Sequence, residues 1–300
     1  MPSKANPSPQ YQYYSNQISE QDHDRFLCIM LAPENKRNDL ISLYAFNCEV
    51  ARIRETVSET LLGQMRLQWW REIIENAVPE SSHPSGSGGS GGSGGMLHNL
   101  ICDHDLAKQP LYDLLTARAD DLDDIPPPNM DALVNYCQAT SSNLIQLSLD
   151  ILMGKDNQEQ GGNQHQITAA QDCGIAWALI GTIRAIPYMA SKGHCRLPVS
   201  LLREAGIEWQ SISAKEQPKA LPDIVSVLAR EAQNRLESTR QASRELQKTA
   251  IPGLLSVPIA SYYLKQITKA AYNPFDERLQ YAQSPAKTLA LLYASWRKKI

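Results

Sequence analysis

The stretch SLYAFNCEVARIRETVSE, residues 42–59, decides the fold class. Leu43, Phe46, Val50, Ile53 and Val57 recur at the spacing of one helical face, so the stretch reads as a single long amphipathic helix. Glu49, Arg52, Glu55 and Glu59 share the other face. Two readings of that polar row stand side by side. One is a ladder of i, i+3 and i+4 pairs worth about 0.2–0.5 kcal/mol each. The other is the wall of a polar, ligand-binding cavity.

Outward from this stretch the pattern stays helical. GQMRLQWWREIIENA carries Met65, Trp69, Ile73 and Ala77 as its apolar stripe, with Trp69 and Trp70 as core and cavity wall. A third helix runs from about Pro110 to Leu122 and stops before Ile-Pro-Pro-Pro at 125–128, where proline cannot continue it. Met130 to Met153 forms a long helix ended by Gly154, and Asn163 to about Ala185 another ended by Pro187. Val225, Leu228, Ala232, Leu236, Thr239 and Leu246 mark a late helix whose charged faces read as solvated. No alternating strand pattern and no phosphate-binding glycine loop occurs. The fold class is therefore all-α, about eight helices in one domain over residues 18–300.

Two segments fall outside that pattern. Residues 1–17, rich in Pro, Ser, Asn, Gln and Tyr, read as disordered or loosely draped. PSGSGGSGGSGG at 84–95 has the composition of a flexible coil and reads as an engineered spacer in place of a natural loop.

The formal net charge of -3, with 20% charged residues, gives no whole-chain case for nucleic acid or an anionic surface as partner. The basic tail Trp296-Arg297-Lys298-Lys299-Ile300 allows at most a peripheral membrane contact. Cys28, Cys48, Cys102, Cys137, Cys173 and Cys195 lack the short spacing of a zinc or redox motif and read as free thiols of a reducing compartment. No apolar run reaches the roughly 18 residues of a membrane span, and the N-terminus lacks a signal core. The expectation is a soluble protein of a bacterial cytoplasm, peripheral at most to the inner membrane, or a processed protein of the mitochondrial matrix.

RFLCIMLAP, LYAFNCEVARIRETVSE, MRLQWWRE, NYCQATSSNLIQLSLDIL, GTIRAIPY and GHCRLP, in that order, resemble the squalene/phytoene synthase superfamily over nearly all of residues 24–300. The resemblance implies an isoprenoid-synthase-like helical bundle around a central cavity, in which two Asp-rich segments hold magnesium ions that bind prenyl diphosphates. Magnesium requires hard oxygen ligands in octahedral geometry, which paired carboxylates on one helical face supply.

Laid on Tyr44, Ala45 and Phe46, the family's first motif places its two adjacent aspartates on Ala51 and Arg52 and keeps a carboxylate only as Glu55. Anchored on Arg184 and on Leu197-Pro198, the second places its aspartates on Ala185 and Met189. An arginine in place of an aspartate about 6 Å from a divalent ion costs on the order of 10 kcal/mol at an effective dielectric near 20, before screening and relaxation. AFNCEVARIRETVSE, MRLQWW, IRAIPY and YASWRKK resemble the branch of the superfamily that contains the mitochondrial complex I assembly factor.

The resemblance thus implies a catalytically silent assembly or chaperone-like factor for respiratory complex I, with a complex I subunit or assembly factor as protein partner and no cofactor. One alternative is an active prenyl transferase with relocated magnesium ligands, drawn from Glu49, Glu55 and Asp120, Asp121, Asp123 and Asp124. Another is a carrier of an isoprenoid or lipid. Arg184 and Arg196, with Arg66 and Arg71, are candidates for a residual anion site or for structural pairs. His194 reads as a loop histidine, with no acidic partner at ligand spacing, and the 120–124 aspartates as a solvated helix end.

Overall fold

The computed structural model describes residues 9–78, 92–154, 164–280 and 284–300. Among these every regular element is helical. The helices group into two compact units, 1–122 with 147–161 and 123–146 with 162–300.

The first unit holds α1 (Pro9–Gln21), α2 (His23–Met30), α3 (Glu34–Ala51), the one-turn α4 (Ile53–Thr56), α5 (Thr60–Asn76), α6 (Ser93–His104) and α7 (Gln109–Asp120). α3 is its axis: Leu43, Phe46, Val50 and, just beyond it, Ile53 are all buried, as their spacing predicts. Phe46 meets Trp70 edge-on with ring centroids 4.9 Å apart, tying α3 to α5.

α5 buries a face turned by about one residue from the expected one, although Ala77 at its end is buried as expected. Gly63, Leu67, Trp70 and Ile74 are buried, whereas Met65 and Trp69 are exposed. Both sets fit helical spacing, and the choice turns on Gly63, whose missing side chain leaves room for Leu122 of the segment after α7.

The helix expected over 42–59 breaks at Ala51. Arg52 takes φ -98 and ψ 0, α4 adds one turn, and Val57 is extended. Thr56 Oγ1 donates to the Ile53 carbonyl, a local bond that competes with further helix. Residues 9–17, expected to be disordered, are part of α1. Tyr14 and Ile18, four apart, are buried, and this small stripe suffices to hold an otherwise polar helix. Residues 1–8 lie outside the described residues, as do 84–91 of the spacer. Gly92 is a turn, and Ser93, Gly94 and Gly95 are not coil but the buried first turn of α6. Tyr14 Oη accepts from Ser93 N at 2.8 Å, and Gln10 Nε2 donates to the Gly92 carbonyl at 2.9 Å.

The second unit begins with α8 (Met130–Cys137), which runs through a π-type turn (Gln138–Ser142) into the start of α9 (Asn143–Met153); from residue 147 on, α9 belongs to the first unit. Gly154 closes α9 with φ +76, as its sequence position predicts. α10 (Gln164–Ser191), the short α11 (Val199–Glu204), α12 (Leu221–Ser243), α13 (Ser256–Lys269), the one-turn α14 (Glu277–Gln280) and α15 (Pro285–Arg297) complete it. α10 packs along α12, where Asp172, itself buried, accepts from Arg235 Nη1 at 2.7 Å and from Ser238 Oγ. Against the π-type turn α10 presents Gly174, whose absent Cβ would collide with the Ser142 backbone.

Pro187 does not end α10. The helix continues to Ser191 and stops at Gly193, φ +72, where His194 N donates to the Met189 carbonyl at 2.9 Å. A proline withholds its N–H and crowds the carbonyl four residues back, here that of Ile183, and the helix bears both for about one further turn before the glycine stop. By length and composition α10 could cross a bilayer, contrary to the expected lack of any such run, but Ile175, Leu179, Ile180 and Ile183 are core residues of the unit.

Candidate functional site

The first motif lies at the C-terminal end of α3. Tyr44 is buried, with its Oη 3.1 Å from Ser148 Oγ and the Arg25 guanidinium 5.5 Å from its ring centroid. Arg25 is held in turn by Asp22 at 3.0 Å. Burial raises the Tyr44 phenol above its ordinary range, and Arg25 opposes the shift. One turn on, burial pushes the Cys48 thiol up to about 12, with Asp22 adding to the shift and Arg25 and Arg52 opposing it. Glu49 is half-buried. Burial raises its carboxyl, while a hydrogen bond to the Ser93 side chain and the charge of Arg66 pull it down.

Ala51 and Arg52 close the helix, with Arg52 exposed, and Glu55 sits exposed on α4. Glu59 is the residue before α5, in extended backbone. The row Glu49, Arg52, Glu55, Glu59 is thus spread over the end of α3, its cap, α4 and the residue before α5, not over one helix. Arg66 Nη1 donates to Thr56 Oγ1 at 2.9 Å, and Arg71 Nη2 to Thr116 Oγ1 at 3.3 Å, so these two candidate anion ligands have separate partners.

The second motif lies on the last turns of α10. Arg184 stacks on Tyr263 of α13 with its Cζ 3.7 Å from the ring centroid, and its Nε is buried without a hydrogen-bond acceptor among the described residues. From the other side Lys287 of α15, 3% exposed, donates to Tyr263 Oη at 3.0 Å. Two cations therefore share one aromatic residue. Tyr263 and Lys287 were missed in the sequence, because no local pattern links positions 79 and 103 residues downstream to Arg184.

Ala185 and Met189 lie half-buried on the same helix. Met189, His194 and Arg196 line a cavity of about 10 Å³, room for a single water. Arg196 lies 4.9 Å over the ring of Tyr136. His194 does have an acidic partner: Nδ1 is 3.3 Å from Oδ1 of Asp124, the residue just before the Pro-rich break. Asp121, expected to be solvated, is buried and accepts from Arg118 Nη1 at 3.0 Å.

These residues do not fit magnesium. Ala51, Arg52, Ala185 and Met189 offer no hard oxygen, and Glu49 is engaged with Ser93. Among the described residues no three His, Cys, Asp or Glu side chains come together as metal ligands would. What the two motif regions offer instead is a half-buried cation on an aromatic ring, Arg25 at Tyr44 and Arg184 at Tyr263.

Known proteins place this geometry. The squalene/phytoene synthase family pattern matches residues 18–286. A complex I assembly factor 6 of NADH dehydrogenase (ubiquinone) from Bos taurus is 29% identical over 282 residues, 94% of this chain and 80% of the relative. Its Homo sapiens counterpart is 28% identical over 281 residues, with the same two shares. A 15-cis-phytoene synthase from Pantoea ananas is 26% identical over 184 residues, 61% of this chain and 53% of that enzyme. Among solved structures, a dehydrosqualene synthase in complex with ligand superposes with a TM-score of 0.73 at 19% identity, covering 96% of this chain and 95% of that one. A squalene synthase from Alicyclobacillus acidocaldarius gives 0.72 at 15% identity, covering 88% and 95%. At these identities the structures show a common fold.

Proposed function

The chain belongs to the squalene/phytoene synthase family, and from that premise we propose that it serves as an assembly factor for respiratory complex I that has given up prenyl transfer. The observation that carries the reading is the chemistry at Ala51, Arg52, Ala185 and Met189. Four positions that align with metal-binding aspartates hold no metal ligand, on a helical scaffold that is otherwise kept. A diphosphate leaving group needs concentrated positive charge held by such carboxylates. Without it, ionisation of an allylic substrate has no electrostatic drive.

Support for the complex I role comes from relatives that span most of this chain and carry that name. The partner is then a complex I subunit or another assembly factor. The site of action is the compartment facing the membrane that holds complex I, a bacterial cytoplasm or a mitochondrial matrix.

Two measurements test the proposal. Purified protein incubated with farnesyl or geranylgeranyl diphosphate and magnesium should release no pyrophosphate above a protein-free control, and magnesium-dependent release would establish the prenyl transferase instead. In the organism that encodes it, deletion of the gene should lower assembled complex I on native gels and NADH:ubiquinone oxidoreductase activity. Unchanged complex I would sink the assembly role.

A further inference from the structure

Helix α15 has two apolar sides. Leu291 and Ala294, with Lys287, are buried against the second unit. Leu289, Leu292, Tyr293 and Trp296, at 65%, 46%, 59% and 77% exposure, form a second stripe at helical spacing on the solvent side. A lone exposed apolar residue is ordinary. Four on one helical face, ending in a tryptophan, make a surface that packing within this unit does not use.

Beside this stripe, α12, α13 and α15 enclose an open cavity of about 520 Å³. Arg240, Lys265, Arg297 and Lys299 line it together with Ser261 and Tyr293, and no carboxylate side chain does so among the described residues. Arg240 Nη2 is hydrogen-bonded to Ser261 Oγ, so one cation is fixed at the wall, and the Arg297 guanidinium lies 5.7 Å from the Tyr293 ring centroid. Lys298 adds a further exposed cation at the helix end. The concentration runs against the chain's net charge of -3.

We propose that this face docks on an anionic phospholipid bilayer, with α15 lying in the interface and the cavity receiving a lipid phosphate. Charge complementarity selects the occupant: a hollow lined by four basic side chains and no acidic one among the described residues, next to an apolar stripe with Tyr and Trp at its edge, matches phosphate headgroups above acyl chains. The three cations of the tail are too few for stable attachment on their own. The fold brings Arg240 and Lys265 to them from two other helices, and cations and apolar residues then act as the two signals that stable anchoring requires.

Flotation with vesicles of phosphatidylcholine alone, or with added phosphatidylglycerol, tests this. The protein should partition about tenfold or more in favour of the phosphatidylglycerol vesicles at low salt, with the preference shrinking as salt screens the cations. The double variant Lys265→Glu/Lys299→Glu should lose most of that preference, and Leu292→Ser/Trp296→Ser should lose binding to both vesicles, each with unchanged circular dichroism. Independently of those variants, doxyl-labelled lipids should quench tryptophan emission in the parent protein, and Trp296→Phe should abolish the quenching. Absence of vesicle binding, equal binding to both vesicle types, variants that bind like the parent, or release by millimolar glycerol phosphate from a lipid-free complex in place of flotation would overturn the proposal.

Discussion

The Arg184 guanidinium carbon lies 3.7 Å over the ring centroid of Tyr263, and the same tyrosine accepts a hydrogen bond from buried Lys287. The two functions of Tyr263 can be separated. Tyr263→Phe keeps the ring under Arg184 but removes the acceptor for Lys287 Nζ, and should lower stability by about 1–3 kcal/mol. Tyr263→Leu also removes the aromatic face and should cost about 0.5–2 kcal/mol more. Urea unfolding of the two variants gives the difference, and equal losses would mean that the stacking contributes nothing.

Gly174 is a steric requirement of the contact between α10 and the π-type turn. A methyl group there meets the Ser142 backbone, which cannot swing away as a side chain could. Gly174→Ala should destabilise by at least about 1–3 kcal/mol despite alanine's better helix propensity. Gly181, at which a Cβ meets nothing, is the control: Gly181→Ala should be neutral or stabilising by up to about 1 kcal/mol.

Glu49 links stability to pH in the direction opposite to a salt-bridged carboxylate. Burial raises its carboxyl above the ordinary range of a glutamate, so the folded state binds the proton more tightly than the unfolded chain. Its contribution is fully present below the unfolded value and is lost as pH rises through the folded one. Glu49→Gln, which mimics the protonated form, should therefore raise the melting temperature at pH 7 by more than it does at pH 4. A gain that is equal at both values would show that the shift is absent.

Thiol reactivity should follow burial. Cys48, its thiol pushed up to about 12, and buried Cys137 and Cys173 should resist alkylation at pH 8, while half-buried Cys28 and Cys102 react first. Mass spectrometry of the labelled protein, with and without denaturant, reads the order directly. Early modification of Cys48 in the native state would contradict the packing of α3.

Local periodicity carried the existence of α3, α5, α7, α8 with α9, α10 and α12, because apolar spacing is what a helix needs in order to bury a face. It failed where two faces of one helix satisfy the same spacing, as in α5, where Gly63 and Leu122 decide the matter from 59 residues apart. It also failed where local bonds outbid continuation, as at Arg52, and where a proline was read as a stop that Gly193 supplies instead. At the candidate site, the residues of both motifs could be named from the chain. Their partners could not: Ser148 for Tyr44, Ser93 for Glu49, Tyr136 for Arg196 and Tyr263 for Arg184 are all set by tertiary packing.

The π-type turn at Gln138–Ser142 has a consequence in phase. A π turn carries one residue more than an α turn, and one residue is about 100° of rotation around a helix axis. α9 is therefore turned by about that angle from where a straight continuation of α8 would point it. Leu144, Ile145, Leu147, Leu149 and Ile151 are buried alike, so on this nearly all-round buried helix that angle decides which neighbour each side chain meets. Removing any one residue from 138–142 would leave a perfectly regular helix whose second half presents the wrong side.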